Sequence, residues 1–238
     1  MSNEALLKVE GLRAGYGHTP ILQGIDLEIG KGEIVSLIGR NGVGKTTTMR
    51  CLMGQIGASA GCIRLQGRDI TRLTSDERAR AGIGFVPQGR EVFPKLTVEE
   101  NLMVGRLVGG PGGDKLSEEE IYRFFPRLRE RIKQLAGTMS GGEQQQLAIG
   151  RALIGKPALL LLDEPSEGIQ PSIVQLICET LMTIRDELGT TIVFVEQNLD
   201  TILSLSERAY VIEKGRVLRQ LDGREATDAD AVRAALAI

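Results

Sequence analysis

Gly-Arg-Asn-Gly-Val-Gly-Lys-Thr, residues 39–46, is the stretch that decides the fold. Ahead of it runs Glu-Ile-Val-Ser-Leu-Ile, residues 33–38, an apolar segment suited to a buried parallel strand. Behind it comes Thr-Thr-Met-Arg-Cys-Leu-Met, residues 47–53, which can continue as a helix. Strand, glycine loop and helix are the context in which G-x-x-x-x-G-K-[ST] has a mechanism. Gly39, Gly42 and Gly44 let the backbone turn so tightly that successive N–H groups point at one anion. The helix N-terminus adds the positive end of its dipole. Lys45 has the reach for the β- and γ-phosphates, and the Thr46 hydroxyl suits Mg2+. A bare Gly-rich turn would be mere scaffolding. With Lys-Thr in register behind a strand, the element binds a nucleoside triphosphate. Its residues are Gly39, Arg40, Asn41, Gly42, Val43, Gly44, Lys45, Thr46 and Thr47.

A second signal is Leu-Leu-Leu-Leu-Asp-Glu, residues 159–164. A buried strand of this kind delivers carboxylates at its C-terminal end, beside the phosphate loop. Asp163 would then hold Mg2+, and Glu164 would polarise the attacking water as a general base. The plainer reading is a strand ending in solvated acids; the phosphate loop upstream argues against it. A third signal is Met-Ser-Gly-Gly-Glu, residues 139–143, followed by a helical pattern. Ser140, Gly141 and Gly142 at a helix start make a second anion-binding nest. Two nests for one triphosphate point to a site shared across a dimer.

The rest of the chain alternates strand and helix on either side of a helical stretch. Residues 6–12 and 21–29 alternate like strands and form an antiparallel subdomain against the nucleotide core. Tyr16, in the turn between them, either stacks on a flat base or covers the core edge, and position alone favours the cover. A strand from Ile83 ends at Pro87, and Gln88 sits where it meets a loop, where α/β folds contact ligands. Residues 89–155 show no strand. They hold capping boxes at Thr97/Glu100 and Ser117/Glu120, a glycine-rich break at 109–113, and a charged helix from 117 towards 133. Strand and helix resume over 158–221, and a weak helix covers 228–238. The expected fold is α/β: a RecA-like core (1–88 and 156–238) with the antiparallel β subdomain and an inserted helical subdomain (89–155), all in one domain.

Composition narrows the function. The chain has 238 residues, 42% hydrophobic and 25% charged, with a net charge of −2. This is a globular composition without the basic field of a nucleic-acid binder. Aromatics are 3% with no Trp, which argues against stacking platforms for single strands. No apolar run approaches the roughly 18 residues of a membrane span. The N-terminus lacks a signal pattern, so a cytoplasmic protein is expected. Cys51, Cys62 and Cys178 fit neither a disulfide framework nor a zinc site and read as buried thiols. His18 is the single histidine.

In order and spacing, the phosphate loop, Gln88, Met-Ser-Gly-Gly-Glu and Leu-Leu-Leu-Leu-Asp-Glu resemble the nucleotide-binding subunit of an ATP-binding-cassette (ABC) transporter over nearly the whole chain. The resemblance implies that Tyr16 stacks on adenine, reversing the positional reading. It also implies that Gln88 senses Mg2+ and the attacking water. Ser140, Gly141 and Gly142 would bind the γ-phosphate held by the opposite subunit, so that two subunits sandwich two ATP molecules. Residues 87–94, 164–171 and 195–198 resemble the subfamily serving branched-chain amino acid and urea-type importers. This implies a second, paralogous ATPase subunit, two membrane permeases and an extracytoplasmic solute-binding protein, with the chain peripheral on the cytoplasmic face of the inner membrane. Gly-Ile-Gln-Pro, residues 168–171, leans slightly towards the urea branch.

Two residues depart from the common pattern. Glu143 stands where the signature usually has Gln, which would add negative charge near the partner's triphosphate. Gln197 stands where most cassettes have a switch histidine; it can donate to a phosphate but cannot become cationic. Unequal composite sites are therefore expected. Rival readings fare worse. A GTPase would need a guanine-reading Asn/Thr-Lys-x-Asp motif, which is missing. Ribosome-acting cassettes usually come in pairs, and chromosome-type cassettes are split by coiled coils. Glu164 argues against a pure nucleotide-binding regulator, and an uncoupled soluble ATPase stays as the alternative of another class. The discriminating surface is 89–102, where Val92, Phe93 and Leu96 would form an exposed apolar cluster if partners dock there.

Overall fold

A computed structural model describes residues 5–107 and 115–237; the glycine-rich break expected at 109–113 lies outside them, as does Ile238. Two sheets organise the chain. The first is antiparallel: β1 (Ala5–Tyr16) pairs with β2 (Thr19–Gly30) and with β4 (Ala60–Leu65), and the two-residue β5 (Arg68–Asp69) closes the edge. The second has the order β10-β9-β3-β8-β7-β6. Its strands are β3 (Ile34–Ile38), β6 (Ile83–Val86), β7 (Leu159–Asp163), β8 (Thr191–Val195), β9 (Arg208–Glu213) and β10 (Arg216–Asp222). All neighbours run parallel except the β9–β10 hairpin.

The central strands are apolar at almost every position because both of their faces are covered. In β7, Leu160 and Leu162 join one core, while Leu159 and Leu161 join the other. The first core packs under α3 (Val98–Leu107), α4 (Glu118–Phe124), α5 (Pro126–Glu130), α6 (Gly141–Leu153) and α7 (Pro171–Leu188). The second lies between the two sheets and encloses α1 (Lys45–Leu52). A smaller cluster seats α8 (Leu199–Leu205) and α9 (Ala229–Leu236) against β9 and β10. Among the described residues no helix is long and apolar enough to cross a membrane.

The structure corrects three details of the sequence reading. The helix expected to run from 117 towards 133 breaks into α4 and α5, because Pro126 disfavours helical backbone at Phe125 (φ −128°, ψ 73°). The strand expected to end at Pro87 ends one residue earlier, at Val86, with Gln88 in the loop beyond it as expected. Cys51 and Cys178 are buried, and burial pushes both thiols up to about 11, but Cys62 is half-buried beside Asp69. Both expected capping boxes form, with Glu100 N donating to Thr97 Oγ1 (3.2 Å) and Glu120 N to Ser117 Oγ (3.2 Å).

One buried arginine fixes the far end of α1. Arg78, on the short α2 (Ser75–Arg80), is 2% exposed and donates to the carbonyls of Cys51 (2.7 Å), Leu52 (2.8 Å), Thr71 (2.8 Å) and Leu73 (3.0 Å). It satisfies the carbonyls that a helix C-terminus leaves open and complements the dipole there. Arg78→Met removes the donor from four carbonyls, of which that of Cys51 keeps the Gly54 N–H (3.1 Å), and is expected to destabilise the fold by about 2–4 kcal/mol. Denaturant unfolding checks this; a loss under ~0.5 kcal/mol would show that water replaces the guanidinium at no cost.

Candidate functional site

Strand register assembles the site. β3, β8 and β7 are adjacent and parallel, and Leu37, Val195 and Asp163 lie across from one another in the ladder. The loops that leave their C-terminal ends therefore meet, which is where open α/β sheets bind ligands. From β3 comes the glycine loop, from β7 come Asp163 and Glu164, and from β8 come Glu196 and Gln197. β6 joins because Val86 pairs with Leu162, and two residues further on Gln88 reaches Glu164.

The loop between β3 and α1 needs its glycines. Gly39 (φ +145°), Gly42 (φ +79°) and Gly44 (φ +112°) all occupy positive φ, and a Cβ on Gly39 would sit 2.3 Å from the Ile212 carbonyl. The Lys45 ammonium curls over the loop and donates to the carbonyls of Gly39 (2.7 Å) and Arg40 (2.8 Å). Burial lowers its pKa, while Glu164, Asp163 and Glu196 act in the opposite sense. Arg40, Asn41 and Gly42 are exposed, Val43 and Thr46 half-buried, and Thr47 buried. At the entrance, Tyr16 is 48% exposed and too open to serve as a cover; its hydroxyl accepts from Arg50 (3.4 Å).

Thr46 Oγ1 donates to Asp163 Oδ1 at 3.1 Å. Asp163 is 2% exposed, and burial pushes its carboxyl up to about 6. A hydroxyl and a buried carboxylate side by side at the end of a phosphate loop are hard oxygen donors that fit Mg2+. The raised value has a consequence for stability. Between the unfolded value of 3.8 and about 6 the folded state binds the extra proton, so stability falls as pH rises through that window. Above it, Asp163 costs the ligand-free fold on the order of 3 kcal/mol. Asp163→Asn is therefore expected to be the more stable protein at pH 8, with the advantage vanishing near pH 4. Unfolding curves at the two pH values decide it; an equal or lower stability at pH 8 would rule it out.

Glu164 is held from both sides. Its Oε1 accepts from Gln197 Nε2 (2.7 Å) and its Oε2 from Gln88 Nε2 (3.1 Å). Its backbone is left-handed (φ +50°), costing about 1 kcal/mol, and its N–H donates to the Val195 carbonyl (3.0 Å). The chain thereby turns away from the buried strand and presents the carboxylate at the mouth of the loop.

Among the described residues no hydrogen bond or ion pair joins Ser140, Gly141 and Gly142 to residues 39–47; Gly141 lies against the Arg90 guanidinium. Ser140 caps α6 in a full capping box with Glu143. The Glu143 carboxylate accepts from Ser140 N (2.9 Å) and Oγ (2.8 Å) and contacts Arg131 (2.5 Å). Its charge is turned back into the cap, not projected outwards as a free negative charge. Residues 22–167 match the ABC transporter family. The chain belongs to that family.

Comparison with other ABC proteins sharpens the assignment. The chain is 47% identical over 213 residues to the high-affinity branched-chain amino acid transport ATP-binding protein BraG of Pseudomonas aeruginosa, covering 90% of this chain and 91% of BraG. It is 38% identical over 212 residues to the probable branched-chain amino acid transport ATP-binding protein LivF of Archaeoglobus fulgidus, covering 89% and 90%. Its fold superposes on a nucleotide-free ATP-binding cassette of an ABC transporter with a TM-score of 0.83, at 27% identity over 93% of both chains. The ADP conformation of another such cassette superposes with a TM-score of 0.82, at 27% identity over 94% and 93%. This ABC subunit is an ATPase.

Three residues of the ABC site were not legible beforehand. Glu167 Oε2 shares the Gln88 amide (3.1 Å), and Arg90 Nη2 donates to the Glu167 carbonyl (2.6 Å). Glu196 is 3% exposed and accepts from backbone N–H groups of two loops. A charged residue in a loop gives no sequence sign of such a partner.

Proposed function

We propose that this chain hydrolyses ATP to drive an importer of branched-chain amino acids. The observation that carries the catalytic half is the grouping of Thr46, Asp163 and Glu164 at the mouth of the phosphate loop. Residues 39–47 cradle the phosphates, with Lys45 exchanging its two carbonyl acceptors for phosphate oxygens. Tyr16 stacks on the base at the entrance. Thr46, Asp163 and Gln88 would hold Mg2+, which would neutralise charge on the β- and γ-phosphates. Glu164 takes the proton of the attacking water, oriented by the amides of Gln88 and Gln197. Ser140, Gly141 and Gly142 form a nest at the start of α6 with no bond to the chain's own loop among the described residues, and they serve the nucleotide of a second ATPase subunit. The helical stretch 89–155 acts as the subdomain that carries this nest.

The solute rests on the likeness to BraG and LivF, and branched-chain amino acids come before urea or a short-chain amide on that ground. A permease docking face has its own support. Phe93 is exposed, Val92 and Leu96 are half-buried, and Leu107 is 82% exposed. Phe93 and Leu107 flank a groove of about 470 Å3 with Phe85, Pro87, Val104 and Ala152. Apolar side chains left open around one groove suit a partner of a membrane complex. A paralogous ATPase, two permeases and a solute-binding protein would complete the system, placing the chain at the cytoplasmic membrane face. Pull-down of the tagged chain from gently solubilised membranes tests this. A second cassette ATPase with two polytopic proteins is the expected catch; ribosomal or DNA-bound partners would replace the reading with an uncoupled ATPase.

A further inference from the structure

Glu196 ends β8 in a place where a charged side chain would ordinarily reach water, yet it is 3% exposed. Its Oε1 accepts from Ser166 N (2.9 Å), in the loop after β7. Its Oε2 accepts from Gln197 N (2.9 Å) and Asn198 N (3.1 Å), in the loop after β8. One oxygen thus serves each loop. The first loop carries Glu164, two residues before Ser166; the second carries Gln197, whose amide touches Glu164 at 2.7 Å. A buried carboxylate that accepts several backbone N–H bonds is a strong, short-range tie, and leaving those donors open is costly. Cys178 on α7, with its neutral thiol, and the Lys45 ammonium also feel the charge of this carboxylate.

We infer that Glu196 is a positioning residue, a staple between the two loops that sets the Gln197 amide against the Glu164 carboxylate. The inference rests on the catalytic role proposed for Glu164. Geometry, not charge, is the device: both loops are indexed to one rigid group at the end of the central sheet. Displacing a reacting group by about an ångström costs up to ~10²-fold in rate.

The test is a double-substitution cycle in the assembled transporter. Glu196→Gln keeps the size but offers one acceptor oxygen, so one loop is released. Its kcat is expected to fall about 10- to 100-fold, with KM for ATP changed less than about twofold. In a Gln197→Ala background the same substitution is expected to cost less than about twofold more, because the group being positioned is gone. Equal losses in both backgrounds, or a fall in ATP affinity that tracks a fall in Tm, would overturn the staple. Should Glu196→Gln not fold, amide exchange in the unaltered protein decides the matter. The Ser166, Gln197 and Asn198 amides are expected to be protected together, and exchange at unstructured rates would overturn the inference. Failure of the Glu164 reading shows separately, as near-normal turnover of Glu164→Gln itself.

Discussion

Glu164→Gln is expected to lower ATP hydrolysis by about 10²- to 10⁴-fold while ATP affinity stays within about twofold. The separation of the two effects follows from the site. Glu164 hydrogen-bonds Gln88 and Gln197, not the phosphate loop, and touches Lys45 only through its charge, so its effect on binding is expected to be small. Both of its oxygens accept from amide nitrogens, and this fixes the plane of the carboxylate before any water arrives. The substitution turns one acceptor into an NH2 that must face a Gln88 or Gln197 donor. It therefore removes the base and disturbs the pair of amides in one step. Single-turnover hydrolysis with equilibrium ATP binding reads the two quantities apart. Hydrolysis within about threefold of the unaltered protein would remove Glu164 from the mechanism.

Lys45→Met is expected to weaken ATP binding by about 10²-fold or more. Each hydrogen bond from an ammonium to a phosphate oxygen contributes about 1.5–3 kcal/mol, and a tenfold change in affinity is 1.4 kcal/mol. Without nucleotide, the ammonium bonds the Gly39 and Arg40 carbonyls in a nearly dry position. Burial disfavours its charge there although Glu164, Asp163 and Glu196 favour it, and its hydrogen-bond acceptors are neutral carbonyls that a triphosphate would replace with charged oxygens. Methionine fills the same channel without that charge, so folding is expected to survive the change. Isothermal titration with ATP and Mg2+ checks it; an affinity within about threefold of the unaltered protein would contradict the assigned role.

The parts of the site visible in the sequence are those whose chemistry is local. Residues 39–46 declare themselves because three glycines and Lys-Thr follow a strand, and the positive φ of Gly39, Gly42 and Gly44 shows why no other residue serves. Asp163 and Glu164 declare themselves because four leucines precede them. Gln88 needed the β6–β7 register to acquire meaning, since its partner stands 76 residues away. Glu196 was invisible for the same reason. Its burial depends on the backbone of Ser166, thirty positions earlier, and an acid after an apolar strand otherwise reads as solvated.

Ser140 and Glu143 have the same Ser-x-x-Glu spacing that marks the cap at Ser117 and Glu120. The glycines between them point to anion binding as well, and the added charge of Glu143 is expected near the nest even though its carboxylate closes the cap. The break at Pro126 follows from the proline rule, but the Glu, Arg and Lys residues on both sides of it read as one solvated helix face. Tyr16 illustrates the limit of position alone. A turn aromatic can cover or stand open, and its exposure is what separates the two.

The central claim is that the site around Glu164 powers uptake of a branched-chain amino acid. The most direct measurement is uptake of labelled leucine into proteoliposomes holding the co-purified transporter, with ATP supplied on the side of this chain. The expected result is ATP-dependent accumulation that is lost with Glu164→Gln although the complex still assembles. ATP hydrolysis without leucine movement, or leucine accumulation undiminished by Glu164→Gln, would contradict it.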